Sequence, residues 1–437
     1  LKAMGLFGGV QVVSILCSIL RAKLVAMWIG PVGVGLMSIW NMTVETISSA
    51  TQLGLRDSAV RLLAADSNQS ARARIAIAIR RWGLWLGLGG ALITILLAPA
   101  LSTALFGDSE HIWGFVALSA AVLMLAMVSG EQAILQGSQQ LKNLAKAQVV
   151  GVVAGVAASA PLFYWLGEEG VLYSVIICAV LTAVSFLIFR NKHISSGISH
   201  EPMRASLAYG KQIVSLGVAM TVGAFTMTLG QYVLVAFINK VSGTYEVGLY
   251  QAGFTIVNKY SSLMLGALAV EYYPRLASVS HSNRRLSTFV SHQMLLTLCV
   301  ALPTVLIFIP LRGIVIDLLY STQFQAAQGY VAWALAGTML RATSWCMAFS
   351  ILARGDARTF IVTEVSSMVI GIASGIGGYL LFGLTGLGIA YVVWYLAYNL
   401  IIGAVYFGKY RLSLARRPLW LGIIATVAAI AVAWLVA

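Results

Sequence analysis

The run LWLGLGGALITILLAPA, Leu84–Ala100, holds no charged residue and no alternation of polar and apolar positions. A barrel strand alternates over ~10 residues, so this run does not read as one. As a helix rising 1.5 Å per residue it is ~25 Å long, close to the hydrocarbon thickness of a bilayer. The rest of the chain repeats the pattern. Read with a ruler of ~20 apolar residues, the sequence predicts spans at 4–29, 34–54, 82–106, 112–136, 147–166, 171–189, 212–238, 247–273, 289–310, 328–353, 359–382, 386–408 and 419–436. The expected fold is therefore an all-α polytopic membrane protein.

Composition agrees. Of 437 residues 59% are apolar and 10% charged, against about 45–50% and 25% in soluble domains; mean hydropathy is +0.89. A soluble globular enzyme, a disordered chain and a fibre are excluded. The first apolar run continues into a second, which reads as a membrane span rather than a cleaved leader. Cys17, Cys178, Cys299 and Cys346 each fall inside an apolar run without C-x-x-C spacing, and read as inert buried thiols.

The formal net charge is +14. In a soluble protein that excess would suggest nucleic acid; here its placement reports topology. With the N-terminus inside, 22 of the 28 lysines and arginines fall in inner connectors and only Lys240 and Arg312 in outer ones. The positive-inside rule then sets a cytoplasmic N-terminus and removes the case for nucleic acid. The outer connectors at 30–33, 107–111, 167–170, 239–246 and 383–385 are very short, and only 311–327 is longer. The inner connectors at 55–81 and 190–211 have room for amphipathic pieces.

Two weak internal similarities share nearly one offset. Val34-Gly35-Leu36 matches Val247-Gly248-Leu249 and places Glu45 opposite Asn258. Gly170 matches Gly386 at almost the same spacing. The expected layout is a six-helix lobe at 1–189, a cytoplasmic linker at 190–211 and a second six-helix lobe at 212–408. Residues 409–437 add a basic loop and a thirteenth helix. Six spans per half make the repeat parallel, with substrate bound in a central cavity between the halves.

Eight charges fall within spans: Arg21, Lys23, Lys259, Arg341, Glu45, Glu131, Glu271 and Glu364. Each costs about 2.5–3.5 kcal/mol at a helix centre, so most must face one another or water. Glu45, Lys259 and Arg341 lie roughly 18–20 Å from the outer ends of their spans, and Lys23 about 10–12 Å. Arg21 and Lys23 are two positions apart, ~200° around a helix, so only one of them enters a given cavity. Lys23, Lys259 and Arg341 either contact an anionic substrate or pair internally. Glu45 either carries a coupling proton or holds a nearby cation. Glu131, Glu271 and Glu364 sit near inner ends, as ion-pair partners of inner arginines or as gating groups. Arg21 and the inner-mouth Arg56 complete the candidate substrate-binding set. Gln132, Gln136 and Gln139 repeat on one helical face.

No G-x-x-x-x-G-K-[ST], no G-x-S-x-G and no metal-ligand spacing among the five histidines occurs. No cofactor is expected, and movement would draw on an ion, potential or substrate gradient.

The run Ala22-Lys23-Leu24-Val25-Ala26-Met27-Trp28-Ile29-Gly30-Pro31-Val32-Gly33-Val34-Gly35-Leu36 resembles the first hairpin of Wzx-type O-antigen and lipid III flippases of the multidrug/oligosaccharidyl-lipid/polysaccharide (MOP) exporter superfamily. So do Tyr273-Pro274-Arg275-Leu276, Ser321-Thr322-Gln323-Phe324 and Phe360-Ile361-Val362-Thr363-Glu364-Val365-Ser366. The resemblance covers residues 4–408 in order. It implies two six-helix lobes around a V-shaped cavity in the bacterial inner membrane. It also implies translocation of undecaprenyl-diphosphate-linked oligosaccharide to the periplasmic leaflet, with Lys23, Arg341 and Glu364 at positions carrying basic or acidic residues. A periplasmic polymerase is implied as a partner by the resemblance alone. A drug/cation antiporter of the same fold would want a more acidic cavity. A membrane-embedded polysaccharide polymerase would want a larger outer loop.

Overall fold

The computed structural model describes residues 2–65, 68–190 and 203–436, with side chains described there except at 2–8, 64, 65, 69, 203–208, 211–220, 222–224, 270, 273 and 274. Most of the connector 190–211 lies outside the described residues, as do the side chains of Lys2, Lys192, Arg204, Lys211, Tyr273 and Pro274. The described chain is helical, with no strand among the described residues. Its helices are α1 (Lys2–Trp28), α2 (Pro31–Thr51), α3 (Leu55–Ala65), α4 (Gln69–Leu105), α5 (Ile112–Gly137), α6 (Leu141–Ile188), α7 (Met203–Ser278), α8 (Asn283–Leu319), α9 (Gln328–Ala353), α10 (Ala357–Gly403) and α11 (Arg416–Val436). Eight helical stretches among them are long and apolar enough to cross a membrane, which makes this a multi-pass membrane protein.

Some helices are too long for one crossing. The 48 residues of α6 would reach ~72 Å if straight, about twice the hydrocarbon core. The chain instead folds back at Gly167, φ 57° and ψ −128°. Across this turn Ser185 Oγ donates to the Ala147 carbonyl at 2.7 Å, and Gly155 packs on Cys178. Helix α10 does the same at Gly383, φ 58° and ψ −140°, where Gly371 packs on Trp394. Helix α7 breaks at Gly243, φ 82°, and α1 passes into α2 through Gly30, φ 81°, with Pro31 opening the new helix. A left-handed glycine ends one helix and a proline at the first helical position starts the next. All four breaks fall in expected outer connectors.

These turns also carry the repeat. Gly30 and Gly243 share their φ at the same offset that relates Val34 to Val247. Gly167 and Gly383 share theirs at the offset that relates Gly170 to Gly386. The contacts Gly155–Cys178 and Gly371–Trp394 are displaced by that second offset too. A Cβ on Gly170 would overlap the Leu162 carbonyl, and one on Gly386 the Gly378 carbonyl. Gln139 and Gly355, again related by it, both adopt positive φ at turns between helices.

Contacts group the chain into two compact units, Leu1–Tyr245 and Glu246–Ala437. The first therefore takes in the opening limb of α7. Tyr232 accepts a hydrogen bond from Thr43 at 3.0 Å, Ser49 and Thr228 hydroxyls meet at 3.0 Å, and Asn239 donates to the Leu105 carbonyl at 2.6 Å. The connector at 55–81, expected on the inner side, holds α3 and the first turns of α4. Leu55, Ala59 and Leu63, spaced i, i+4, i+8, bury against Ile75, Ile79 and Ile134. Each buried leucine is worth about 1.5–3 kcal/mol against exposure to water, which pins α3 to the bundle.

In the second unit Tyr272, Leu286, Val290, Leu298, Cys346 and Ile402 form the core, and Tyr272 donates to the Cys346 carbonyl at 2.7 Å. The expected outer connector 311–327 is mostly helix: α8 runs to Leu319 and a 3-10 turn covers Thr322–Ala327. Arg312 is buried there and donates to the carbonyls of Ile309 at 2.9 Å, Gln328 at 3.2 Å and Val436. A lone guanidinium that donates to three backbone carbonyls interrupts hydropathy without ending the helix.

At the other end Asp356 caps α10, accepting from the Thr359 amide at 3.1 Å. Its carboxylate also accepts from Lys409 Nζ at 2.6 Å and Tyr410 OH at 2.9 Å. Lys409 above all, then Thr359 and Tyr410, hold this carboxyl well below the usual carboxylate range.

Two outcomes are expected. Gly386→Leu should cost about 3 kcal/mol by overpacking, whereas Gly377→Ala, which faces open space, should be neutral in detergent melts. Asp356→Asn should lower the melting temperature at pH 7. Because the folded pKa is depressed, its contribution is complete above about pH 4 and fades as pH falls. An equal gap to wild type at pH 3 and pH 7 would refute the assignment.

Candidate functional site

The first unit contains a cavity of about 600 Å³. Helix α2 supplies its polar wall. Asn41, Glu45, Ser48 and Gln52 all line it, and their spacing of i, i+4, i+7, i+11 puts them on one helical stripe. Opposite stand Arg21 from α1, Arg56 and Asp57 from α3, Ser129 and Gln132 from α5, and Thr182 from α6. The wall is braced by Ser129, which donates to Gln52 Oε1 at 2.7 Å.

Arg21 donates from Nη2 to Ser174 Oγ at 3.0 Å, while its Nε is buried without a hydrogen-bond partner. Glu45 is exposed to the cavity, and no ion pair engages it among the described residues. Arg56 donates to Gln136 Oε1 at 3.3 Å. The cavity thus gathers Arg21, Glu45 and Arg56 with amide and hydroxyl groups, a lining able to bind a polar, anionic moiety through charge-assisted hydrogen bonds.

The other candidates lie elsewhere. Lys23 is half-buried and is not among the lining residues, as its ~200° separation from Arg21 requires. Lys259 is exposed on α7. Arg341 of α9 donates to Asn258 Oδ1 at 3.0 Å and to Tyr391 OH at 3.2 Å. Its guanidinium carbon lies 5.9 Å from the Tyr395 ring centroid, within cation–π range. Tyr395 abuts Tyr398, whose hydroxyl donates to Glu364. Arg341 and Glu364 are therefore ends of one aromatic array within the second unit. Tyr391, Tyr395 and Tyr398 were not expected at a site, although their i, i+4, i+7 spacing marks one helical face.

Glu131 is buried and pairs with Arg80 Nε at 2.6 Å. Glu271 pairs with Arg275 one turn away on an exposed surface. Of the glutamine stripe, Gln132 lines the cavity and Gln136 meets Arg56. Gln139 lies beyond the helix end with φ 56°.

The fold is that of a polytopic helical membrane protein. An inward-facing multidrug resistance MATE family transporter of the MOP superfamily superposes with TM-score 0.73 at 15% identity, covering 95% of each chain. Lipid II flippase MurJ in an inward closed conformation gives TM-score 0.70 at 12% identity, covering 100% of this chain and 96% of that one. Residues 24–329 match the family described as polysaccharide biosynthesis protein, and the chain belongs to that family. The lipid III flippases of Escherichia coli (strain K12) and Shigella flexneri are each 23% identical over 361 residues, 82% of this chain and 86% of theirs.

The buried Arg80–Glu131 pair carries its own expectation. Glu131→Gln removes the carboxylate charge that Arg80 meets and should destabilise by on the order of 2–3 kcal/mol. This is below the ~3–5 of a fully buried pair, because Arg80 keeps 24% of its side chain exposed. The double change to methionines should recover most of that loss in detergent melts. No recovery would show that Arg80 and Glu131 act separately.

Proposed function

We propose that this protein is a flippase for polyprenyl-diphosphate-linked oligosaccharide repeat units. It carries them from the cytoplasmic to the periplasmic leaflet of the bacterial inner membrane. The observation that carries the reading is the cavity in which Arg21 and Arg56 face Glu45 across a wall of amides and hydroxyls. Family membership and the lipid III flippase relatives support it.

In this reading the arginines grip diphosphate oxygens bidentately. Sugars cross in water against the polar stripe of α2, and the prenyl chain stays in lipid. Two six-helix lobes at 1–189 and 212–408 alternate access, joined by the linker at 190–211 and with the N-terminus in the cytoplasm. Glu45 is the coupling group, since its carboxylate has no fixed cation. Arg341, Lys23 and Lys259 are further cationic contacts for the cargo, and Glu364, held by Tyr398, is a gating group. A periplasmic polymerase takes up the product.

The exposed Glu45 also favours a second reading, a MATE-like cation antiporter. Vesicles separate the two. Wild type should translocate a labelled undecaprenyl-diphosphate glycan and leave a cationic dye untouched. Arg21→Ala and Arg341→Ala should each reduce glycan transport at least ten-fold at normal expression. Full transport by both variants, or dye efflux without glycan transport, would overturn the flippase reading.

A further inference from the structure

Helix α11 stands outside the duplicated frame, and nothing in the transport reading uses it. It forms one side of two adjoining cavities in the second unit. The first, about 350 Å³, is polar and basic. It is lined by Arg284, Thr288 and His292 of α8 and by Ser413 and Arg417 at the approach to α11. No carboxylate lines it. The second, about 330 Å³, is almost wholly apolar. Leu396, Leu400 and Phe407 form one wall, and Leu419, Ile423 and Val427 of α11 form the other. Leu414 and Pro418 border both cavities, so they form one groove with a cationic mouth and a greasy floor.

The mouth is held open by structure rather than by chance. Ser287 and Ser291 hydroxyls accept from the backbone amides of Ser413 and Ala415, both at 3.0 Å. This fixes the non-helical approach of residues 411–415 across α8. Arg284 and Arg417 are both exposed and unengaged by any carboxylate among the described residues. They sit at the end of the unit that also carries Arg285, Arg354, Arg358, Lys409 and Arg416. The floor opens outward: Leu419, Ile423 and Val427 recur at i, i+4, i+8 and are 38%, 47% and 61% exposed.

From this juxtaposition we infer that the groove between α8, α10 and α11 binds an anionic glycerophospholipid. Its phosphate sits between Arg284 and Arg417, and its acyl chain lies along Leu419, Ile423 and Val427. Charge complementarity selects the headgroup, since basic pockets at the cytoplasmic ends of helices retain anionic lipids. The outward opening selects a lipid of the bulk leaflet, which is present in far greater amount than any carrier. The inference does not depend on the cargo of the first unit.

The test is native mass spectrometry of the full chain, released from detergent containing equal dioleoylphosphatidylglycerol and dioleoylphosphatidylcholine. Wild type should retain phosphatidylglycerol at least ten-fold over phosphatidylcholine. Arg284→Ala with Arg417→Ala should abolish the preference. Val427→Trp, at an exposed position where folding is not at stake, should lose both lipids. Equal retention of the two lipids by wild type would overturn the inference. So would unchanged preference in the arginine variant, or retention of undecaprenyl diphosphate with no phosphatidylglycerol. Glycan transport measured on the same variants reports separately on the flippase reading.

Discussion

A charge in hydrocarbon costs about 2.5–3.5 kcal/mol at a helix centre, and several ionisable groups among the described residues are arranged around that cost. The solutions differ in kind. Glu131 meets Arg80 in a buried ion pair. Arg341 takes neutral acceptors, an amide and a phenol, plus an aromatic face. Glu364 accepts from a tyrosine. Arg312 donates to three backbone carbonyls. Glu45 instead lines a cavity without an ion pair, and Arg21 lines it with a single hydrogen bond to Ser174. Only this last solution leaves charge available to a ligand, so the location of hydrated space decides which charges matter.

The duplicated frame sharpens that distinction. The shared turns at Gly30 and Gly243 and at Gly167 and Gly383 fix the correspondence of the halves. On it, Glu45 aligns with Asn258 and Leu125 with Arg341. In the first unit Glu45 and Leu125 line the same cavity. In the second, Asn258 and Arg341 are hydrogen-bonded to each other. Equivalent positions are thus neighbours in both halves, with an acid on one and a cation on the other. A repeated helical plan thus carries opposite charge at a matching pair of positions in its two units.

Much of this architecture was legible because hydrocarbon leaves few options. Spans and their connectors followed from length and apolarity, and Gly30, Gly167, Gly243 and Gly383 turn where the connectors were expected. Helical spacing put Arg21 and Lys23 on different faces but could not say which one meets the cavity, because a rotation about α1 is set by packing, not by spacing. Arg312 was misplaced for a physical reason: hydropathy registers a guanidinium as an end, whereas carbonyl acceptors let the helix run on. Tyr391, Tyr395 and Tyr398 escaped notice because interfacial belts use the same residues. Their helical periodicity was the signal available.

The polar stripe of α2 explains why the hydrated space lies where it does. Asn41, Glu45, Ser48 and Gln52 form a line too polar to face lipid and too long for one ion pair to neutralise. Packing that face directly against α5 and α6 would bury four polar groups, each needing a partner or costing several kcal/mol in hydrocarbon. The bundle supplies only some, such as Ser129 for Gln52. The remainder require water, and a water-filled cleft beside α2 is the arrangement that supplies it. Arg21 lines the same cavity and donates to Ser174. A ligand of this cavity must be polar enough to stand in for that water, and the stripe, more than any single cation, imposes that condition.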